Sequence, residues 1–228
     1  MKGLIGFFAA LMSVTLVLGC GNNNQATGNS ESKNIPQKPA QTTAQSASEQ
    51  KVVKNMPIGS ELVIADFDTG EKPNNIGGNF GTWDKEPSDF SQSCQEAFDS
   101  VNRYGSNGFS IKLHYDVDSP NPAYNGFWMF LQNTDAAGYG NLAFWVKGDP
   151  DKGYTTVFKI ELKNSINQIG RYYVNNVTDQ WQEIIIPLNQ FKGMTDFSSL
   201  MEFVIVFEDR VVSNKDGIIY IDNIRFAK

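Results

Sequence analysis

The chain has 228 residues, with 19 Lys and Arg against 25 Asp and Glu, giving a formal charge of −6 with its single histidine neutral. Binding to a phosphate backbone needs a basic stripe, and none is present, which excludes nucleic acid as a partner.

In chain order, Met1-Lys2-Gly3 precedes an apolar run from Leu4 to Leu18 and then Gly19-Cys20. A run of about 15 residues is short for a bilayer span and fits the apolar centre of a cleaved secretory signal, here residues 1–19. Val17-Leu18-Gly19-Cys20 resembles a lipobox, which makes Cys20 the site of lipidation and the new N-terminus; a plain signal peptide or an uncleaved anchor is the alternative. Gly21, not Asp, follows Cys20, and by resemblance to sorting rules in double-membraned bacteria this implies a cell-envelope protein anchored in the outer membrane. Acylation leaves Cys94 as the only free thiol. No intramolecular disulfide is then expected, and the folded part must rest on its apolar core, helped at most by a metal.

Residues 20–57 have no aromatic side chain and are dominated by Asn, Gln, Ser, Thr, Ala, Lys and Pro. Such a composition cannot bury enough apolar area to offset its ordering entropy, which predicts a disordered polar tether. As a flexible coil its reach is roughly 30–35 Å.

From Ile58 to Lys228 the pattern predicts one all-β domain. Strands are expected near Leu62–Phe67, Phe109–Tyr115, Phe127–Leu131, Leu142–Val146, Thr155–Lys163, Ile169–Val177, Trp181–Ile186, Phe203–Phe207 and Ile218–Phe226. Their apolar residues recur at period two, as in Phe109, Ile111, Leu113 and Tyr115. Short strands with no helix between them predict an antiparallel two-sheet β-sandwich. The Gly- and Asn-rich stretch from Gly70 to Asn107 is read as loops with one short hairpin or helical turn.

Four segments, DFDTGEKPNNIGGNFGTW (Asp66–Trp83), LAFWVKGD (Leu142–Asp149), WQEIIIPLNQF (Trp181–Phe191) and IYIDNIRF (Ile219–Phe226), occur in an order that resembles galactose-binding-like jelly rolls. The resemblance is to the group of family 11 carbohydrate-binding modules and the complex I intermediate-associated protein 30 domain. It implies a jelly roll that binds carbohydrate on a concave sheet face, or another envelope protein.

Two candidate sites follow. Asp66 and Asp68 flank Phe67 and should share one face, while Asp222 lies at the parity of a core face, where a lone carboxylate is costly. In related jelly rolls, first- and last-strand acidic residues surround a structural Ca²⁺, and the resemblance puts Asp68 and Asp222 in that role with Asp66 as an addition, carbonyls completing the shell. Alternatively, Asp222 caps a turn or pairs with a basic residue. The second site is aromatic and polar. The segment Gly126–Leu131 is apolar at both parities, which sets Trp128 and Phe130 opposite the core-facing residues. Sugar C–H faces stack on aromatic rings, and charged groups bond their hydroxyls. Trp128 with Tyr173, Arg171 and Glu161 has that chemistry, and Tyr124 is a rim contact or an ordinary loop aromatic. Against this, a loop covering Trp128 and Phe130 leaves the charges as a solvated face.

Catalytic signals are poor. His114 is read as a surface residue, Cys94 as partly buried and inert, and no nucleophile elbow or His/Cys metal spacing occurs. The reading is a monomeric, non-catalytic, surface-tethered lipoprotein that binds a β-glucan-like polysaccharide. The alternatives are an envelope assembly lipoprotein that binds protein and, third, a cryptic glycoside hydrolase.

Overall fold

A computed structural model describes residues 59–228; the expected signal, the lipidation site Cys20 and the tether lie outside the described residues. Eleven strands form: β1 Glu61–Ala65, β2 Phe80–Asp84, β3 Ser93–Asp99, β4 Ser110–Asp116, β5 Tyr124–Thr134, β6 Asn141–Gly148, β7 Val157–Asn164, β8 Ile169–Asn175, β9 Gln182–Pro187, β10 Leu200–Glu208 and β11 Asp216–Ala227. The sole helical element among the described residues is one 3-10 turn, Leu188–Gln190.

The strands make two antiparallel sheets. The first runs β3-β4-β11-β6-β9, with β1 also on β11; the second runs β2-β5-β10-β7-β8. β11 anchors the first: its N-terminal half pairs with β4 and its C-terminal half with β1, while β6 takes the other edge. The all-β sandwich expected from the sequence is therefore present, in jelly-roll form.

Period-two alternation turns one set of side chains inward from each sheet. Phe203, Ile205 and Phe207 of β10 are fully buried, as are Ile111, Leu113 and Tyr115 of β4. Rings lock the sheets together: Tyr115 stacks on Phe207 at 4.1 Å, and Phe144 of β6 meets Phe158 and Phe203 at 6.5 and 6.4 Å. Such pairs add about 0.5–1.5 kcal/mol each beyond area burial.

Two expectations need correction. The stretch 70–107 holds two strands, and they do not form a hairpin: β2 joins the second sheet through β5 and β3 the first through β4. Asp66-Phe67-Asp68 lies beyond the end of β1, and Phe67 has φ 55°; this break lets its ring turn into the core against Phe80 at 5.7 Å. β9 ends at Pro187, which pairs with Asn141. β9 is an edge strand, where proline's missing donor is tolerated, and Leu188 and Phe191 close that end of the core.

Candidate functional site

The outer face of the second sheet is ordered by register. Gly81 pairs with Trp128, Trp128 with Val204, Val204 with Glu161, and Glu161 with Arg171. A parallel row runs from Trp83 through Gly126, Val206 and Lys159 to Tyr173. Directly opposed residues project from the same face, so each row is a strip of neighbouring side chains. Together they line a groove of about 540 Å³.

The groove has two chemically distinct sides. On β2 and β5 it is aromatic. Trp128 and Phe130 lie 4.7 Å apart, and Trp83 meets Tyr124 edge-on at 5.8 Å. Phe130 and Tyr124 are each 41% exposed, so no loop covers this face. Gly81 is required here: a Cβ at that position would sit 3.2 Å from Trp128 Cζ2, so its absence lets the indole lie over β2. Val204 and Val206 of β10 form the floor.

On β7, β8 and the ends of β10 the groove is charged. Lys159 Nζ lies 3.1 Å from Glu161 Oε1 and donates at 2.7 Å to Glu208 Oε1. Arg171 Nε lies 3.3 Å from Glu161 Oε1, and Lys163 pairs with Glu202 at 2.7 Å. The Tyr173 hydroxyl donates to Glu208 Oε2 at 3.4 Å. Burial alone would lower the Lys159 pKa, but its bonds to Glu208 and Glu161 outweigh that and hold the ammonium above its usual value.

Four of the expected ligand residues, Trp128, Glu161, Arg171 and Tyr124, therefore line one groove. Tyr173 sits at its margin, 44% exposed and joined through Glu208. Sequence reasoning missed Trp83, because its strand was read as loop. It also missed Glu202 and Glu208, because the β10 reading stopped at the apolar core Phe203–Phe207.

The three aspartates gather elsewhere, on the first sheet, where β4 ends and β1 begins along β11. Asp222 is 3% exposed and its Oδ2 accepts the Tyr104 N–H at 2.9 Å. Burial pushes its carboxyl up to about 7, with Asp68 and Asp66 adding repulsion against the pull of the Tyr104 and Asn223 N–H groups. Asp66 Oδ2 accepts from Asn75 Nδ2 at 2.7 Å and Asp66 Oδ1 from the Asp68 N–H at 3.2 Å. Among the described residues no group of three or more His, Cys, Asp or Glu is arranged to hold a metal ion. The three carboxylates are nonetheless hard oxygen donors, and among the described residues buried Asp222 forms no ion pair with a basic side chain. Through that hydrogen bond Asp222 also holds the loop at Tyr104. His114 is half-exposed beside Asp216 at 3.1 Å. Cys94 is buried, and desolvation, then Asp84 and Glu96, push its thiol well above its usual pKa, consistent with an inert group.

Residues 65–228 match the family "Carbohydrate binding domain 30", and the chain belongs to that family. Its domain is accordingly a carbohydrate-binding module, a kind of domain that binds sugar rather than transforms it. The fold is shared with a family 11 carbohydrate-binding module from Clostridium thermocellum solved with a β-1,3-1,4-mixed-linked tetrasaccharide, at 18% identity and TM-score 0.55, covering 73% of this chain and 95% of that one. An exo-β-agarase also matches, at 14% identity and TM-score 0.51, over 74% of this chain but 24% of the enzyme. No curated protein matches.

Removing one partner from a buried ion pair leaves uncompensated charge, at about 3–5 kcal/mol for full burial. Lys159 and Glu161 retain 10% and 14% side-chain exposure, so Lys159→Met should destabilise the domain by about 2 kcal/mol. Chemical denaturation measures this, and adding Glu208→Gln to Lys159→Met should recover part of the loss.

Proposed function

We propose that the groove on the second sheet binds a β-glucan or related polysaccharide without cleaving it, and that the domain is held on the bacterial envelope by a lipid on Cys20. The observation that carries the binding reading is the pairing of an aromatic side, built by Trp83, Tyr124, Trp128 and Phe130, with an ion-paired side across a valine floor. A pyranose offers C–H faces to the first and hydroxyls to the second. Carboxylates that already accept from Lys159, Lys163 and Arg171 keep lone pairs for hydroxyl donors, and Arg171 keeps donors for ring oxygens. The mixed-linked tetrasaccharide held by the family 11 module supports a β-glucan as the backbone. In the full chain, Trp128→Ala should weaken retardation in native gels containing β-glucan by about fivefold, the loss of roughly 1 kcal/mol of aromatic contact. Reducing sugar should not appear in either protein. Unchanged retardation would move the site away from Trp128.

The anchor reading is supported by the sequence of residues 1–20, a short apolar run ending in Gly19-Cys20. Cys20→Ser should shift the protein from the membrane to the soluble fraction, whereas an uncleaved apolar anchor would keep it in the membrane.

We also propose that Asp222, Asp68 and Asp66 hold a structural Ca²⁺ with backbone carbonyls. When bound, the ion would supply the positive charge that a buried Asp222 carboxylate needs. Without it, an acid raised from 3.8 to about 7 contributes stability that is complete below its unfolded value and is lost as pH rises through about 7. Melting temperature in chelator should therefore fall as pH rises toward neutrality. Ca²⁺ should restore it by adding about 2.7 kcal/mol of stability at a hundredfold excess over Kd, and Asp222→Asn should remove both effects. Identical melting with and without chelator would eliminate the ion.

A further inference from the structure

The charges inside the groove cancel: Lys159, Lys163 and Arg171 face Glu161, Glu202 and Glu208. The balance breaks at the outer edge of β8. There the strand is met by an isolated bridge in which Arg171 and Lys192 exchange both backbone hydrogen bonds, at 2.9 and 3.0 Å. Directly opposed residues project from the same face, so two cations stand side by side, an arrangement that is destabilising by itself. They border a second hollow of about 650 Å³, shared with Tyr172, Tyr173, Asn175 and Gln190, and no carboxylate lines it.

Arg171 is oriented for a ligand on this side. It meets Glu161 through Nε, at 3.3 Å. Nη1 reaches only the Ile169 carbonyl, at 3.5 Å, and Nη2 has no partner among the described residues. Lys192 is exposed and forms no ion pair among the described residues. An unused Arg fork beside a free ammonium matches a carboxylate or sulfate oxygen pair.

We propose that Arg171 and Lys192 bind an anionic substituent, a carboxylate or a sulfate ester, carried by the same glycan whose backbone occupies the groove. This rests on the groove reading above. The protein as a whole is negative and repels polyanions, so a preference for an acidic glycan is a property of this local pair and weakens with salt.

The test uses the full chain against glycan pairs that share a backbone: hydroxyethylcellulose with carboxymethylcellulose, and neutral agarose oligosaccharides with their sulfated counterparts. For a backbone that binds, the acidic member should bind about fivefold tighter at low salt, the scale of one exposed charge pair, and the gap should close at high salt. Lys192→Gln should bring the acidic member down to the neutral one, and Lys192→Arg should keep the gap. A preference in only one pair type assigns carboxylate or sulfate as the group bound. Neutral and acidic members bound equally, or a gap that survives Lys192→Gln, would overturn the anion site while leaving the groove intact. No binding of any member would overturn both.

Discussion

Strand β10 is held on both edges and on one face, and the binding surface depends on that fixation. β5 and β7 take its two ladders, and Phe203, Ile205 and Phe207 are buried between the sheets. A slip of one residue would send those rings to solvent. Glu202, Val204, Val206 and Glu208 must then face outward, so the groove's valine floor and two of its three carboxylates follow from the packing of the core. The groove is thus lined by side chains whose positions are settled by folding.

The polar half is one connected unit. Tyr173 donates to Glu208, Glu208 and Glu161 share Lys159, and Glu161 also faces Arg171 Nε. The largely buried ammonium at the centre offsets the repulsion between two nearby carboxylates, and side chains held in this way would lose little rotamer freedom on binding a ligand. The aromatic half is fixed differently, by contact and by a missing side chain: Trp128 leans against Phe130 and over Gly81.

The sequence made the strands legible where alternation was strong. Phe109 to Tyr115 and Phe158 to Leu162 announce an inner face by period alone, and Trp128 stood out because its strand was apolar at both parities. β2 was hidden because Phe80-Gly81-Thr82-Trp83 contains a glycine needed for ring packing, which in a sequence resembles loop. Glu202 and Glu208 were hidden because a strand's charged ends carry no hydrophobic signal. The Arg171–Lys192 pair depends on a bridge between distant segments, and no local pattern encodes it. Asp222 was visible as a buried acid, but its hydrogen bond to Tyr104, 118 positions away, was not.

Row geometry also sets a ruler. From Trp128 to Lys192 the face crosses Val204, Glu161 and Arg171, four inter-strand steps of about 4.8 Å, or roughly 19 Å. If the groove and the Arg171–Lys192 edge hold one glycan as proposed, a single sugar or a disaccharide on the indole falls short of Lys192 at the far end of the row. Oligosaccharides would then gain affinity with each added unit until they span the row and then stop gaining, so that the spacing of five aligned residues is read out as a preferred degree of polymerisation.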